Sequence, residues 1–441
     1  MDCGLYQSVK SPWENYCVNS RKFNFKAREI DAIFVEEAHM DHLGALPILY
    51  AHNCDAPIYI PKGNYDIFKV LLTDSAFISQ RDVELFYKQR GKNYPPLYTQ
   101  EDVENCLAHI VEVEIGETIQ IDEQTTLQFI GAAHILNAAQ IILKIKVGNV
   151  TKTIGFTGDV GNIAVKTPYV GQFEPIKKAD ILLGECTYGG VPEGCKQKDR
   201  EKDLEKMKTV ITETCIENHG RVLIPCFANS RTQTIITMLY DLFGKDKTFK
   251  IPVLVDSPMA CTITKMYEYL LEGEELEHYK EVLAWENLVL VEDPMESKAW
   301  RSSKEPCIAC SANGMLTSGR SLGWLSKLLP GTNNYIMFVG YIPTDGGIGI
   351  KIKEGKCKHI TVSGKRVANR CKIVSLKSFT SHMQYDELLE YYSSVKTPKI
   401  LLVHGDQDGK IEFAKVLQEK ISKKNSTTRV ICGNVDYSVT I

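Results

Sequence analysis

A chain of 441 residues is longer than a single hydrophobic core usually grows, so two domains are expected. Hydrophobic residues at 44% and charged residues at 24% exclude a disordered polymer. The net charge of −3 excludes a global basic field for nucleic acid and leaves only a local cleft to hold a polyanion.

No apolar run reaches the length of a membrane span, and the first residues lack a signal-peptide core. The expectation is a cytoplasmic protein with no membrane partner. The 14 cysteines are scattered, often inside apolar runs such as "VLIPCF", which fits reduced thiols. Cys307 and Cys310 form one CxxC with no second pair, so a strand is expected there rather than a zinc knuckle.

In chain order, "DAIFV" (31–35) and "APIYI" (56–60) read as short strands. Residues 64–108 have helical spacing and many charges, and are expected to be a surface insertion. Hairpins follow at 118–131 and at 140–159, the second turning at Gly148-Asn149. "KADILLGECTYGG" (178–190) is a further strand ending in a polar loop. From about residue 200 the texture changes: a long amphipathic helix over 198–220 precedes "RVLIPCF", a helix, "IPVLVDS", "CIACS" and "NNYIMFVGY". Strands alternating with helices argue for a largely parallel sheet. Near 370 the first texture returns, with a helix around 384–395 and then "PKILLVHGD". This order predicts an α/β protein whose first domain, 1–195, is completed by 371–441 around an insertion at 196–370.

Four strand-end loops supply metal-ligand residue types. "FVEEAHMDHLGALP" carries His39, Asp41 and His42, with Glu37 where a further imidazole would be expected and Glu36 beside it. His134 follows "LQFIGAA", Asp159 ends "IGFTGD", and His404 follows "ILLV". His382 lies in "FTSHMQYDEL", just ahead of a helix. Asp41 and His42 are adjacent, so they diverge and could feed one ion from one tight loop, while His39 points the other way. Taken singly, a histidine after an apolar run is usually a hydrogen-bonded core or surface residue, and "TGD" is a common turn. Jointly, loops at the ends of rigid strands are how metal ligands are usually presented. A hydrolytic two-metal site needs imidazoles, a bridging carboxylate and an open position for water.

These residues resemble the motifs of the metallo-β-lactamase-fold β-CASP RNA hydrolases over almost the whole chain. "AHMDHLGALP" resembles that family's HxHxDH loop, "GAAHILNAAQ" its third motif and "FTGDVGN" its fourth. "GECTYG" with Glu185, "PCFANSRTQ", "VDSPMA", "SANGMLTSGR", "FTSHMQYDEL" and "LLVHGD" resemble the remaining motifs in order. The resemblance implies an αββα metallo-β-lactamase sandwich with an inserted α/β β-CASP domain. It implies that His39 and His134 hold a first ion, Asp41, His42 and His404 a second, and that Asp159 bridges them. Zn2+ is expected, two ions, with Mn2+ or Fe2+ at a first site altered by Glu37. Asp41, Asp159 and His382 would be catalytic, a bridging hydroxide attacking RNA phosphorus and His382 assisting the leaving oxygen. Arg231, Ser311 and Arg320 would contact RNA; the competing reading for both arginines is an ion pair across the domain boundary.

The resemblance has departures. Glu37 replaces the family's first histidine, and Glu36 stands where threonine is usual. "MDCGLYQ" resembles a segment that in the family follows two opening strands, so Met1 is expected to be an internal methionine taken as the start; Asp2 would support the metal loop. Met383, Gln384 and "GYIPTDGGIG" follow their motifs loosely. The expected activity is endonucleolytic hydrolysis of RNA leaving a 5′-phosphate, in a possible homodimer. Two rivals are a catalytically impaired RNA-binding or scaffold homologue and a small-substrate hydrolase such as a thioesterase. Retention of the other six ligands disfavours the first, and the insertion and His382 disfavour the second.

Overall fold

The computed structural model describes residues 1–7, 11–165, 167–192, 197–340, 342, 347–424 and 427–433. Between 118 and 156 apolar and polar residues alternate, and antiparallel strands Thr118–Gln120, Thr125–Gly131, Ala139–Val147 and Val150–Phe156 form in sequence. Val147 faces Val150 across the Gly148-Asn149 turn, which fixes the register of that hairpin. Ile181–Gly184, Lys399–Leu402 and Arg429–Cys432 then add in parallel to make a sheet of seven strands, drawn from both ends of the chain.

A second sheet has three parallel strands, Ile33–Phe34, Ile58–Pro61 and Ile110–Val113. Alternation along its middle strand decides the layering. Tyr59 joins Phe34, Val113, Phe129, Ile141 and Phe156 in an apolar cluster between the two sheets, while Ile58 and Ile60 point away. They meet buried Ile67, Phe68, Leu71 and Leu72 of the helix Tyr65–Arg90. On the far side of the large sheet, Leu182, Ile400 and Leu402 pack with Tyr391, Tyr392, Phe413 and Leu417 from the helices Tyr385–Ser394 and Gln407–Lys423. The layers are therefore helix, sheet, sheet, helix: an αββα sandwich.

Residues 64–108 are thus not a surface insertion, as the sequence suggested. Their charges lie on one helix face, and the other face is the sandwich's outer core.

The remaining large sheet has six parallel strands, ordered Leu288–Leu290, Val253–Asp256, Ile308–Ser311, Val222–Pro225, Tyr335–Phe338 and Lys372–Ser375. Val222, Ile224, Val253, Val255 and Ile308 bury one face, and Leu223, Leu254, Ala309, Ile336 and Phe338 bury the other. Covering on both faces explains why these strands read as unbroken apolar runs. Lys372–Ser375 pairs with Tyr335–Phe338, so this sheet extends past residue 370, where the sequence suggested a return to the first domain. An isolated strand pattern does not say which sheet it will join. The expected boundary at 195–196, and half of "GYIPTDGGIG", lie outside the described residues. Cys307 and Cys310 are buried at the strand Ile308–Ser311, and every described cysteine is a free thiol.

Candidate metal centre

The strand Ile33–Phe34 ends in the loop that carries Glu36 to His39, and a single helical turn, Met40–Leu43, starts after His39. Residues 2–5 clamp this turn from outside: Cys3 N–H donates to His42 O (2.7 Å) and Leu5 N–H to Met40 O (2.9 Å). A Cβ on Gly4 would lie 1.5 Å from Asp41 O, so no other residue fits there. His404 leaves the strand Lys399–Leu402 with φ of 45°, and Gly405 follows at 103° against Cys186 O. That left-handed pair turns the imidazole back over the sheet edge. From the inserted lobe, Asn229 Nδ2–H donates to Ala38 O (3.2 Å), tying the two lobes at the metal loop.

The loops converge. Glu37, His39 and His134 offer ligand atoms all within 4.8 Å of one another, and so do Asp41, His42 and His404. Asp159 lies between these corners, its carboxylate 3.5 Å from His42 Nε2, 3.8 Å from His134 Nε2 and 3.4 Å from His404 Nδ1. His382 Nδ1 is 3.7 Å from Asp159 and 3.4 Å from Glu185. Glu37 points into the cluster: Oε1 accepts from His39 Nδ1 at 2.8 Å, and Oε2 stands 3.8 Å from His134 Nε2.

The electrostatics follow from burial and crowding. Burial opposes a charge on Asp159, but His404, His382 and His42 around it hold its carboxyl well below the usual carboxylate range. Burial and the neighbouring His382 push the His134 imidazole well below its ordinary value, leaving it neutral. Asp159 in turn raises His404 to about 10. Burial lifts Glu37 despite the pull of His39 and His42.

A set of nitrogen and carboxylate donors with no cation of its own is an unstable arrangement. Glu37 Oε2, His42 Nε2, His134 Nδ1 and Asp159 Oδ1 are buried without a hydrogen-bond partner. Buried polar atoms are ordinarily paired, and unpartnered donors in one cluster of imidazoles and carboxylates are what a divalent cation site leaves without its ion. The donor set fits a metal cation.

Of the supports, sequence reasoning expected Asp2 and missed the roles of Glu36 and Thr187. His42 donates Nδ1–H to Glu36 Oε1 (2.6 Å), with Asp2 Oδ2 at 3.1 Å. Such a carboxylate fixes a ligating imidazole's tautomer and leaves the other nitrogen for the ion. Glu36 therefore faces His42, not the first corner. Thr187 Oγ1 holds His404 Nδ1 at 2.9 Å. Glu185 accepts from the backbone N–H of Val160 (2.8 Å) and Thr187 (3.2 Å), which locks the Asp159 loop to the strand-end beside it. Only the position of Glu185 in a motif hinted at this.

The three residues expected to contact RNA separate. Ser311 is 1% exposed and its hydroxyl donates to Asp256 O (3.0 Å). Arg320 pairs with Asp256 at 2.7 Å and donates to the carbonyls of Val291 and Glu292. Both are structural, and the Arg320 pair lies within the inserted sheet rather than across the lobes. Arg231 has no carboxylate partner among the described residues; burial lowers its pKa, and it neighbours Tyr188, whose ring is 6.0 Å from that of His382.

An αββα sandwich with imidazoles and carboxylates gathered at its strand ends defines a metallo-β-lactamase-type hydrolase. Two family models match: the Beta-Casp domain over residues 232–347, and the Zn-dependent metallo-hydrolase RNA specificity domain over 366–428. Ribonuclease TTHA0252 of Thermus thermophilus is 29% identical over 423 residues, 95% of this chain and 90% of that one. Transcription termination factor FttA of Methanocaldococcus jannaschii is 28% identical over 91% of this chain, which spans only 62% of that protein. An RNase J-like protein of the same organism is 28% identical over 88% of this chain and 84% of its own length. These matches support a β-CASP metallo-β-lactamase RNA hydrolase family for the chain. No helix among the described residues is long and apolar enough to cross a membrane.

Proposed function

We propose that this chain is a metal-dependent ribonuclease that cuts RNA endonucleolytically, leaving a 5′-phosphate and a 3′-hydroxyl. The observation that carries the reading is the convergence of Glu37, His39 and His134, and of Asp41, His42 and His404, on the shared carboxylate Asp159. Two cations, with Zn2+ the first candidate, would be held by those two triplets with Asp159 between them. When bound, they supply an activated water and neutralise charge at phosphorus.

The chain's own groups do the rest. His382, 21% exposed at its side chain and held by Glu185, faces the cluster from the inserted lobe's side and can deliver a proton to the departing ribose oxygen. Its pKa is raised: burial opposes the charge, but Asp159 and Glu185 outweigh it. Arg231, unpaired and close to Tyr188, is the candidate contact for an RNA phosphate.

Measurement of bound metal on the purified chain, with cleavage of a labelled circular RNA, tests this. Opening of the circle, lost in chelator and in His382→Ala, is expected; a circle left intact while linear RNA is trimmed would make the enzyme an exonuclease. One observation favours a second reading, a catalytically impaired RNA-binding homologue: the Glu37 carboxylate already takes a hydrogen bond from His39 at 2.8 Å. RNA bound but never cut, with fewer than two metals per chain, would select it. A homodimer belongs to the proposal as well, and light scattering on the purified chain decides it.

A further inference from the structure

Residues 351–377 carry nine lysines and arginines against one glutamate, in a chain whose net charge is −3. All nine side chains are exposed. Some exposed lysines elsewhere find carboxylates, as in Lys26–Glu29, Lys250–Glu286, Lys280–Glu277 and Lys420–Glu390. Here only Lys356 does, with Glu354 at 3.3 Å; none of the other eight pairs with a carboxylate among the described residues.

The fold gathers this charge on one surface. The helix Ile348–Lys353 turns Ile352 inward against Ile360 and Val362 of the hairpin His359–Val362 and Lys365–Ala368. Inward packing of the apolar residues leaves Lys351, Lys353, Lys365 and Arg366 outside. Partial burial of the Lys353 stem lowers its pKa, and the nearby Lys377 ammonium adds to this. Two cations held together without an anion mark a place where an anion is stabilised. Lys377 opens the turn Lys377–Phe379, five residues along the chain from His382. Among the described residues the one cation–ring contact these charges make is Lys372 with Tyr335, at 5.3 Å.

We propose that this surface is a second RNA-holding site, a track for the phosphate backbone of single-stranded RNA leading from His382 across the helix and hairpin of the inserted lobe. It rests on the reading of RNA as substrate. With few rings to stack on bases, it grips charge rather than sequence. It makes long RNAs bind better than short ones that occupy the cleft alone.

The test compares the full chain with K353Q/K365Q/R366Q/K377Q and with a control of four exposed lysines elsewhere, K245Q/K247Q/K415Q/K423Q. Binding of labelled RNAs of about 6 and about 25 nucleotides is read by anisotropy, with and without chelator. Affinity of the track variant for the long RNA should fall roughly tenfold to a hundredfold, and its salt slope should flatten by about 3. The short RNA should lose much less, and the control should match the wild type with both. An equal loss in the control, or no loss in the track variant, overturns the proposal. So does displacement of the RNA by polyglutamate as effectively as by RNA of equal charge, which would indicate an acidic protein partner. Track-dependent binding without cleavage would defeat the nuclease reading and leave this one standing; cleavage without track dependence would do the reverse.

Discussion

Asp159 and Asp256 are both buried carboxylates at strand ends, one in each lobe, and they do opposite jobs. Asp256 is saturated: Arg320 meets one oxygen at 2.7 Å, and Ser297 (2.8 Å) and Trp324 (2.7 Å) donate to the other. Asp159 has four imidazoles within 3.8 Å, yet Oδ1 has no hydrogen-bond partner among the described residues. Burial alone does not mark a functional carboxylate; what marks it is burial that the protein leaves unsatisfied. A saturated buried charge holds structure, whereas an unsaturated one waits for a cation.

The sharpest way to break this comparison is Asp159→Asn. RNA cleavage should fall by about a thousandfold or more, since a carboxylate between two cations contributes several kcal/mol to the reaction. In metal-free protein the melting temperature should fall only modestly, because the lost attraction to His404, His382 and His42 is largely offset by removing the desolvation cost of the buried carboxylate. A melting temperature that dropped by many degrees would show that Asp159 is as structural as Asp256.

The converse change is Arg320→Met. It strands the Asp256 carboxylate in the core, which typically costs about 3–5 kcal/mol. Thermal unfolding should record the loss, while RNA affinity at a temperature where the variant is folded should stay within about twofold. Weakened RNA binding by the folded variant would return Arg320 to the substrate contacts expected from sequence.

These two residues also show where the sequence was informative. Asp159, His134, His404 and the His39–His42 loop were legible because each sits where a strand stops, and strands are read from local alternation. The sandwich and the inserted parallel sheet were legible for the same reason. What was not legible depends on contacts between distant segments. Thr187 reaches His404 across 217 residues and carries no pattern of its own, whereas Asp2, which reaches His42 across 40, was legible only through the resemblance of "MDCGLYQ". Glu36 and Glu37 look equivalent in sequence, yet opposite faces of the loop send one to support His42 and the other into the cluster. Arg320 and Arg231 diverge likewise, because the location of Asp256 decides which guanidinium is spent. Residues 64–108 misled by composition, their charge obscuring the buried Ile67, Phe68, Leu71 and Leu72.

Glu36→Gln sharpens the contrast within the centre itself. The amide keeps a hydrogen-bond acceptor for His42 Nδ1 but removes the charge that makes the imidazole a stronger ligand. Loss of such a supporting carboxylate typically weakens metal binding about 10–100-fold. Metal titration should show the effect at one ion only, since Glu36 touches His42 and not His39 or His134. Equal weakening of both ions would mean that the two corners act as one unit.

Glu37→His is the mildest change and the most discriminating. Glu37 gives the first corner a carboxylate beside His39 and His134, matching the carboxylate and two imidazoles of Asp41, His42 and His404. With Asp159 between them, both corners are more anionic than imidazole-rich zinc sites, a composition that shifts preference toward harder ions such as Mn2+ or Fe2+. An imidazole at residue 37 would remove one negative charge, restore a softer donor, and release His39 from its 2.8 Å hydrogen bond. The variant should retain more zinc after dialysis and change the cleavage rate by less than about tenfold, with manganese losing its advantage as the added ion. If both proteins keep the same metals in the same amounts, Glu37 is not a ligand, and its second oxygen, 3.8 Å from His134, serves only to balance charge at a site with a single working ion.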